Sequence, residues 1–465
     1  MLYSRRNFLC AAGASGLVAA APIITSQSGA ANATEDRPPR APATAKGERP
    51  LPELVPESDL PIYDLDVDAT RTKQQFVLQD DKKFSSAPQG CVVRIPAGLE
   101  LPLKTFAWRV GRKPGRYVTG ARLIFRGATD GSPSLLVSPK DGDLFGGANG
   151  MVDFPVGLEL ENLRIRTGTK GRAAVRGVFL RYIRLSNVQI EGGAQGFFLA
   201  NEPYVAVLEN CEIFHSGKGD GLSHCLYAGH GERFTAHNCR FHSAKAVGHA
   251  LKCYADNVDV RNSILESWTT FEDRDQGYHG EMPPVDLGAW ANTLLVDNTI
   301  VRRGPARMTS LEYRNRQYPK GMSKWVPPDW GTEVVDHELV DNRDESNPHL
   351  FRHLLIGNRF VNGILPDGSE DPTIRKKPGI AVRNNGTGPW ASHGKGLKVN
   401  KEGLNQKYTK PSDWKDHMER AVVWAIDNSF EGIPFKTKYE ERPYHRSDDF
   451  APIREAKRIP EWAEL

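Results

Sequence analysis

Eight segments of the chain share one alternation, apolar-x-apolar-x-Asn. They read LELEN at 158–162, IRLSN at 183–187, AVLEN at 206–210 and FTAHN at 234–238. The series continues with VDVRN at 258–262, LLVDN at 294–298, LLIGN at 354–358 and WAIDN at 424–428. In most copies a further apolar residue follows three places on: Ile165, Ile190, Ile213, Phe241, Leu265 and Val301. A period of two predicts a strand with one buried face. The asparagines stand 25, 23, 28, 24 and 36 residues apart, then 60 and 70. Steps in the mid-twenties are too short for a helix-pair repeat and fit one coil of a solenoid. The predicted fold is all-β, a right-handed parallel β-helix with an asparagine ladder. A β-sandwich would need hairpin turns every roughly 8–12 residues, and the chain between copies lacks them.

Strands of successive coils stack about 4.8 Å apart, so equivalent residues form columns. A buried asparagine at a coil corner bonds the backbone and the next asparagine, satisfying groups that the bend would orphan. On this reading Asn238→Leu or Asn262→Leu destabilises the domain by about 1–3 kcal/mol. Cys211, Cys225, Cys239 and Cys253 fall at equal 14-residue steps. They contain no CxxC pair of the kind that holds zinc. Cys211 and Cys239 each follow a ladder asparagine and are expected as stacked buried thiols rather than disulfides.

The stretch GCVVRIPAGLELPL at 90–103, followed by ARLIFRGATDGSPSLLV at 121–137, resembles the entry to pectate-lyase-like β-helix proteins. The resemblance covers roughly residues 75–435 and speaks to fold, since this architecture serves many chemistries. The parallel β-helix domain is placed at 71–435, with long inserts at 302–350 and 362–420 and a tail at 436–465.

The chain opens MLYSRRNFLC, and an apolar run to about Ile24 leads to Ala31–Ala33. This resembles a twin-arginine signal peptide, placed at 1–33, whose paired arginines are read by the export machinery. The run is short for a membrane span and rich in Ala and Gly, so the mature chain is expected without a span and in the periplasm or secreted. Residues 34–70 are rich in proline and charge and read as a linker. With 61 Lys and Arg against 57 Asp and Glu, the formal net charge is +4. That modest excess suits an anionic partner and is no nucleic-acid signature.

The chemistry-bearing residues cluster at SHCLYAGHG, 223–231, and GHALKCYA, 248–255. Here His224 precedes Tyr227 by three places, as His249 precedes Lys252. Asp286 lies one coil further, in PVDLGAW at 284–290. Stacked by their ladder positions, Tyr227 and Lys252 fall in the same or adjacent columns on the outer face. The constellation suits β-elimination or C5-epimerisation of a polyuronate. Both need a base at C5 and donors for the carboxylate, and elimination needs an acid for O4. Lys252 is the expected base, Tyr227 the acid, and His224 and His249 the carboxylate contacts or partners in base duty. The spacing resembles exported bacterial β-helix proteins carrying His-x-x-Tyr-x-Gly and then Gly-His-x-x-Lys, from which no residue roles are carried over.

Two other readings stay open. Asp220, in GDG at 219–221, and Asp286 are candidate substrate-binding carboxylates that could instead form the pair of a glycoside hydrolase. The chain could also be a non-catalytic carbohydrate-binding or cell-envelope protein. TFEDRDQGYHGE at 270–281 groups four carboxylates, as a calcium site or a solvated loop would. The stretches 302–331 and 379–396 mix basic and aromatic residues, a composition that stacks on sugar rings and pairs with their carboxylates.

Changing Arg5 and Arg6 to lysine is expected to trap the precursor in the cytoplasm. Cell fractionation with an antibody to the mature chain reads this, and normal export of the variant sinks the twin-arginine reading.

Overall fold

The structure, a computed structural model, describes residues 53–65, 88–315, 351–384, 421–442 and 453–456, with short interruptions inside the longer ranges. The stretch 1–33, read as a signal peptide, and the stretches 316–350 and 385–420 lie outside them. The fold is a right-handed parallel β-helix, the hand that parallel crossovers take. A typical coil has three strands, as in Val205–Glu209, Glu212–Phe214 and Leu226–Ala228, and in two coils the first two run on as one, Val156–Thr167 and Leu180–Gly192. The next coil repeats them at Arg233–His237, Arg240–His242 and Leu251–Cys253. The first two strands of every coil join one 20-stranded sheet, and the third joins a 10-stranded sheet.

Alternation explains the wall. On successive coils Ile183 and Leu185, Ala206 and Leu208, Phe234 and Ala236, and Val258 and Val260 all face the interior. Their neighbours Arg184, Thr235 and Asp259 remain partly exposed. Each large apolar side chain sealed this way contributes about 1.5–3 kcal/mol. Residues 62–64, within the stretch read as linker, form a strand paired in parallel with the one at 90–95.

The repeated asparagines occupy two columns. Asn162, Asn187, Asn210, Asn238 and Asn262 sit at the corner between first and second strands with φ of 49–57°. Asparagine tolerates this left-handed conformation better than other L-residues with a Cβ. The pairings Arg261↔Val296 and Ile264↔Thr299 put Asp297, not Asn298, opposite Asn262. Asp297 (φ 53°), Gly357 (φ 65°) and Asp427 (φ 51°) continue the corner. The last three copies of the motif are therefore one residue out of step. Leu295, Leu355 and Ala425 face inward there, because a slip of one residue exchanges the faces of a strand.

Asn298, Asn358 and Asn428 belong to the next column, which begins at Leu163 and Val188 and passes through Cys211, Cys239 and Ser263. These three form a hydrogen-bonded ladder, while in the corner column Asn187 Nδ2 donates to Asn162 Oδ1. Asn298 Nδ2 donates to Asn358 Oδ1 at 3.0 Å and to the Val260 carbonyl at 2.8 Å. Asn358 Nδ2 donates to Asn428 Oδ1 at 2.9 Å and to the Leu295 carbonyl at 2.8 Å. Asn238 and Asn262 are exposed, which overturns the expectation that leucine there would strand buried groups. The five described cysteines are free and buried, and burial pushes the Cys225 and Cys253 thiols up to about 12.

The division is testable by urea unfolding. Asn358→Leu should cost about 1–3 kcal/mol by stranding buried backbone groups. Asn238→Val should cost about 1–2 kcal/mol through its left-handed φ, and Asn238→Gly should unfold close to wild type. A comparable loss in Asn358→Leu and Asn238→Gly would refute the two-column assignment.

Candidate active site on the outer face of the third strand

The third strands are three to five residues long, and their flanking residues are core. Leu226 and Ala228 enclose Tyr227, Leu251 and Cys253 enclose Lys252, and Val285 and Leu287 enclose Asp286. With both neighbours turned inward, the middle residue must leave on the outer side. The register then lines up Arg176, Phe198, Tyr227, Lys252, Asp286 and Glu312 on six successive coils. Tyr227 and Lys252 share one column, and Asp286 is the next rung. Arg176, Phe198 and Tyr227 are half-buried, whereas Lys252, Asp286 and Glu312 are 2%, 0% and 1% exposed. The column is thus accessible at its Tyr227 end.

His224 and His249 stand just ahead of their strands with ring centroids 4.9 Å apart. Between them the backbone approaches closely at Gly248, where a Cβ would lie 2.8 Å from the Ser223 carbonyl oxygen. The His249 backbone N–H donates to His224 Nδ1 at 3.1 Å. His224 Nε2 is 3.0 Å from Lys252 Nζ. His249 Nδ1 is 2.7 Å from the Pro283 carbonyl oxygen, and its Nε2 is 3.4 Å from Asp286 Oδ2. Tyr254 OH donates to the same Asp286 oxygen at 3.1 Å. The Tyr227 ring stacks on Phe198 at 5.5 Å and on His224 at 5.9 Å, with Lys252 Nζ 5.5 Å from its centre.

These contacts fix proton positions through the bonding network. A carbonyl only accepts, so His249 Nδ1 carries hydrogen. Its Nε2 then faces the Asp286 carboxylate at 3.4 Å. In His224, Nδ1 accepts the backbone N–H, so it has no proton and a neutral ring carries hydrogen on Nε2. That N–H points at Lys252 Nζ, 3.0 Å away.

No family model and no curated protein matches the chain. Among solved structures, the chain is similar to the A-module of the mannuronan C-5 epimerase AlgE6 from Azotobacter vinelandii, at 10% identity and a TM-score of 0.28. The match covers 83% of this chain and 97% of that one.

Four of the six expected site residues lie together: hydrogen bonds join His224 to His249 and Lys252, an ion-pair contact joins His249 to Asp286, and Tyr227 packs on His224. Asp286 is fully buried against Tyr254 and His249, unlike an open sugar contact. Asp220 lies exposed in a bend at 219–220. Sequence reasoning missed Tyr254 and Glu312. Tyr254 falls two places after Lys252, a legible same-face spacing. Glu312 was hidden because Leu311–Asn315 was read as part of an insert and is in fact a third strand.

The carboxylate run at 270–281 contains a short helix, Phe271–Asp275, closed by a capping box from Thr270. Among the described residues, no group of three metal-type side chains forms. Asp273 accepts from Thr269 Oγ1 at 2.6 Å and Ser243 Oγ at 2.8 Å, and it meets His215 Nε2 at 2.7 Å. Burial pushes its carboxyl up, but the bonds from His215, Thr269 and Ser243 outweigh this and hold it below the ordinary range. The contacts with Asp273 and then Glu191 raise His215 to about 9. His215, 3.9 Å away, and then Arg166 hold Glu191 at about 2.

The signs set a pH window. The stability that His215 contributes is complete below its unfolded value of about 6.5 and is lost as pH rises through 9. The carboxylates contribute fully above about 4.5 and lose it as pH falls toward their folded values. Thermal unfolding should therefore show greatest stability between about pH 4.5 and 6.5 for this network. His215→Asn should flatten the alkaline limb; a wild-type slope in that variant would exclude His215 as its source.

Proposed function

We propose that the chain is an exported enzyme, periplasmic or secreted, that acts on a uronic-acid-containing polysaccharide by removing the proton at C5. The observation that carries this is the hydrogen-bond pattern at Lys252. An amine that accepts an N–H from a histidine must be neutral, and on an outer sheet face it is suited to take a weakly acidic proton near neutral pH. An ordinary lysine, with a pKa of about 10.4, would be protonated there.

On polymer binding, rotation of the Lys252 side chain exchanges its contact with His224 Nε2–H for one with the sugar C5–H. His224 then has an N–H free to donate to the sugar carboxylate. Lys252 Nζ takes the proton and becomes ammonium, and the electron pair left on C5 spreads into the carboxylate. In β-elimination that pair forms the C4–C5 double bond as the C4–O4 bond breaks, and the Tyr227 phenol gives O4 its proton. In epimerisation O4 stays, and a proton returns to C5 from the opposite face. Burial strengthens each of these electrostatic contacts relative to water. Tyr254 positions Asp286, which in turn pairs with His249.

Incubation with a panel of polyuronates separates the reaction classes. Ultraviolet absorbance from a new C4–C5 double bond identifies the lyase. Proton exchange with solvent at C5 without cleavage identifies the epimerase. New reducing ends without the double bond favour a hydrolase using Asp220 and Asp286, and saturable binding alone favours a non-catalytic protein. Lys252→Ala should lower turnover by about 10²–10⁴-fold with folding intact. Tyr227→Phe should lower turnover of an eliminated polymer with little change in affinity. If turnover of both variants stays within about threefold of wild type, neither residue is the base or acid. Wild-type activity should fall on the acid side, where protonation of the Lys252–His224 pair removes the free amine.

A further inference from the structure

The outer column of the third strands is open at one end and sealed at the other. Arg176, Phe198 and Tyr227 are half-buried on three successive rungs. From Lys252 onward exposure falls to 2%, then to 0% at Asp286 and 1% at Glu312. Ala381 stands opposite Glu312 on the next coil and is 1% exposed. Four consecutive outward positions are therefore closed to water. The change falls between Tyr227 and Lys252, which pair on adjacent rungs.

A linear polymer bound within its length needs room on both sides of the reacting sugar. On the C-terminal side of Lys252 the next three outward positions, Asp286, Glu312 and Ala381, are all sealed. On the N-terminal side the stacked rings of Tyr227 and Phe198, 5.5 Å apart, leave part of their apolar surface to a ligand. Aromatic surface with a few polar groups is the usual lining of a ligand site. The proposed roles then fix the polarity of the chain. Tyr227 gives O4 its proton, and Tyr227 lies on the open side. The sugar attached through O4 therefore lies over Tyr227 and the rungs before it. The reacting sugar has its C1 toward Asp286, where a further unit finds no space.

We infer that the site takes the reducing end of a linear polyuronate and acts on the terminal sugar alone. The identity and polarity of the polymer rest on the proposed reaction, whereas the capture of a chain end rests on the burial. In elimination Lys252 Nζ takes the C5 proton, and the C4–C5 double bond forms as C4–O4 breaks. O4 takes its proton from Tyr227 and stays on C1 of the preceding sugar, which becomes the new reducing end. The released unit is an unsaturated monouronate, and the chain is one sugar shorter. In epimerisation the same enclosure confines inversion at C5 to the terminal sugar.

Binding and turnover test this separately. The full chain carrying Lys252→Ala is titrated with polygalacturonate and polymannuronate fractions of graded length. A second set of the same fractions carries a bulky amine coupled to the reducing end, and a third carries a group on the non-reducing end. Affinity per chain should not change with length, and the reducing-end block should weaken binding at least about tenfold. The non-reducing-end group should have no effect. Adding Phe198→Ala should weaken binding of a triuronate by about threefold to tenfold. Affinity that grows in proportion to length and ignores the reducing-end block overturns the inference. So do sensitivity to the other end, parental affinity in the Phe198→Ala variant, and absence of binding. With the wild-type chain, unsaturated monouronate, or inversion at the terminal sugar, should be the first product, while viscosity of the polymer falls slowly. A steep early fall in viscosity with a ladder of oligouronates, or inversion within the chain, overturns the inference and leaves the C5 reaction standing. End-selective binding without turnover upholds the inference and overturns the reaction.

Discussion

Parallel backbone pairing from one coil to the next is the constraint on which everything else in this molecule depends. Each rung fixes the height and register of the one after it, so a residue's neighbours lie about a coil away in sequence. Side chains of like position must therefore be compatible as columns. The interior column that starts with Leu163 and Val188 passes through Cys211, Cys239 and Ser263 and ends as an asparagine ladder. Thiol, hydroxyl and amide groups fit the same place because each finds backbone acceptors on an adjacent rung. Ser263 Oγ accepts from the Cys239 backbone, and the Ser263 backbone N–H donates to Asn298 Oδ1 at 2.9 Å.

The same stacking gives the candidate site its chemistry. A histidine ahead of one strand is brought against the backbone of the histidine ahead of the next, which fixes its tautomer and directs its remaining N–H at Lys252. The buried Asp286 is tied to Tyr254 and His249 from the preceding coil. Lys252 and Asp286 sit on adjacent rungs of one column.

Much of the fold was legible because alternation is written locally. Phe234 and Ala236 must face one way and Thr235 the other, whatever the rest of the chain does. The first five asparagines were correctly aligned with one another, since their coils are of similar length. The alignment slipped at Asn298, where Asp297 takes the corner. Sequence pattern rewards the repeated letter, whereas the corner requires only a residue that tolerates a left-handed φ. Asp297, Gly357 and Asp427 meet that need as well as asparagine does.

The sequence by itself determined that the chain would coil, which residues would line its interior and that Tyr227, Lys252 and Asp286 would stand on neighbouring rungs. Those properties come from spacing and alternation, which any short window of the chain displays. Only the tertiary structure decided that Lys252 meets His224, that Tyr254 holds Asp286, and that Glu312 extends the column from within a presumed insert. These depend on how turns of unequal length carry one coil onto the next, and the resulting side-chain contacts join residues 25–34 positions apart. No local pattern encodes that distance, because it is set by the stacking of the backbone as a whole.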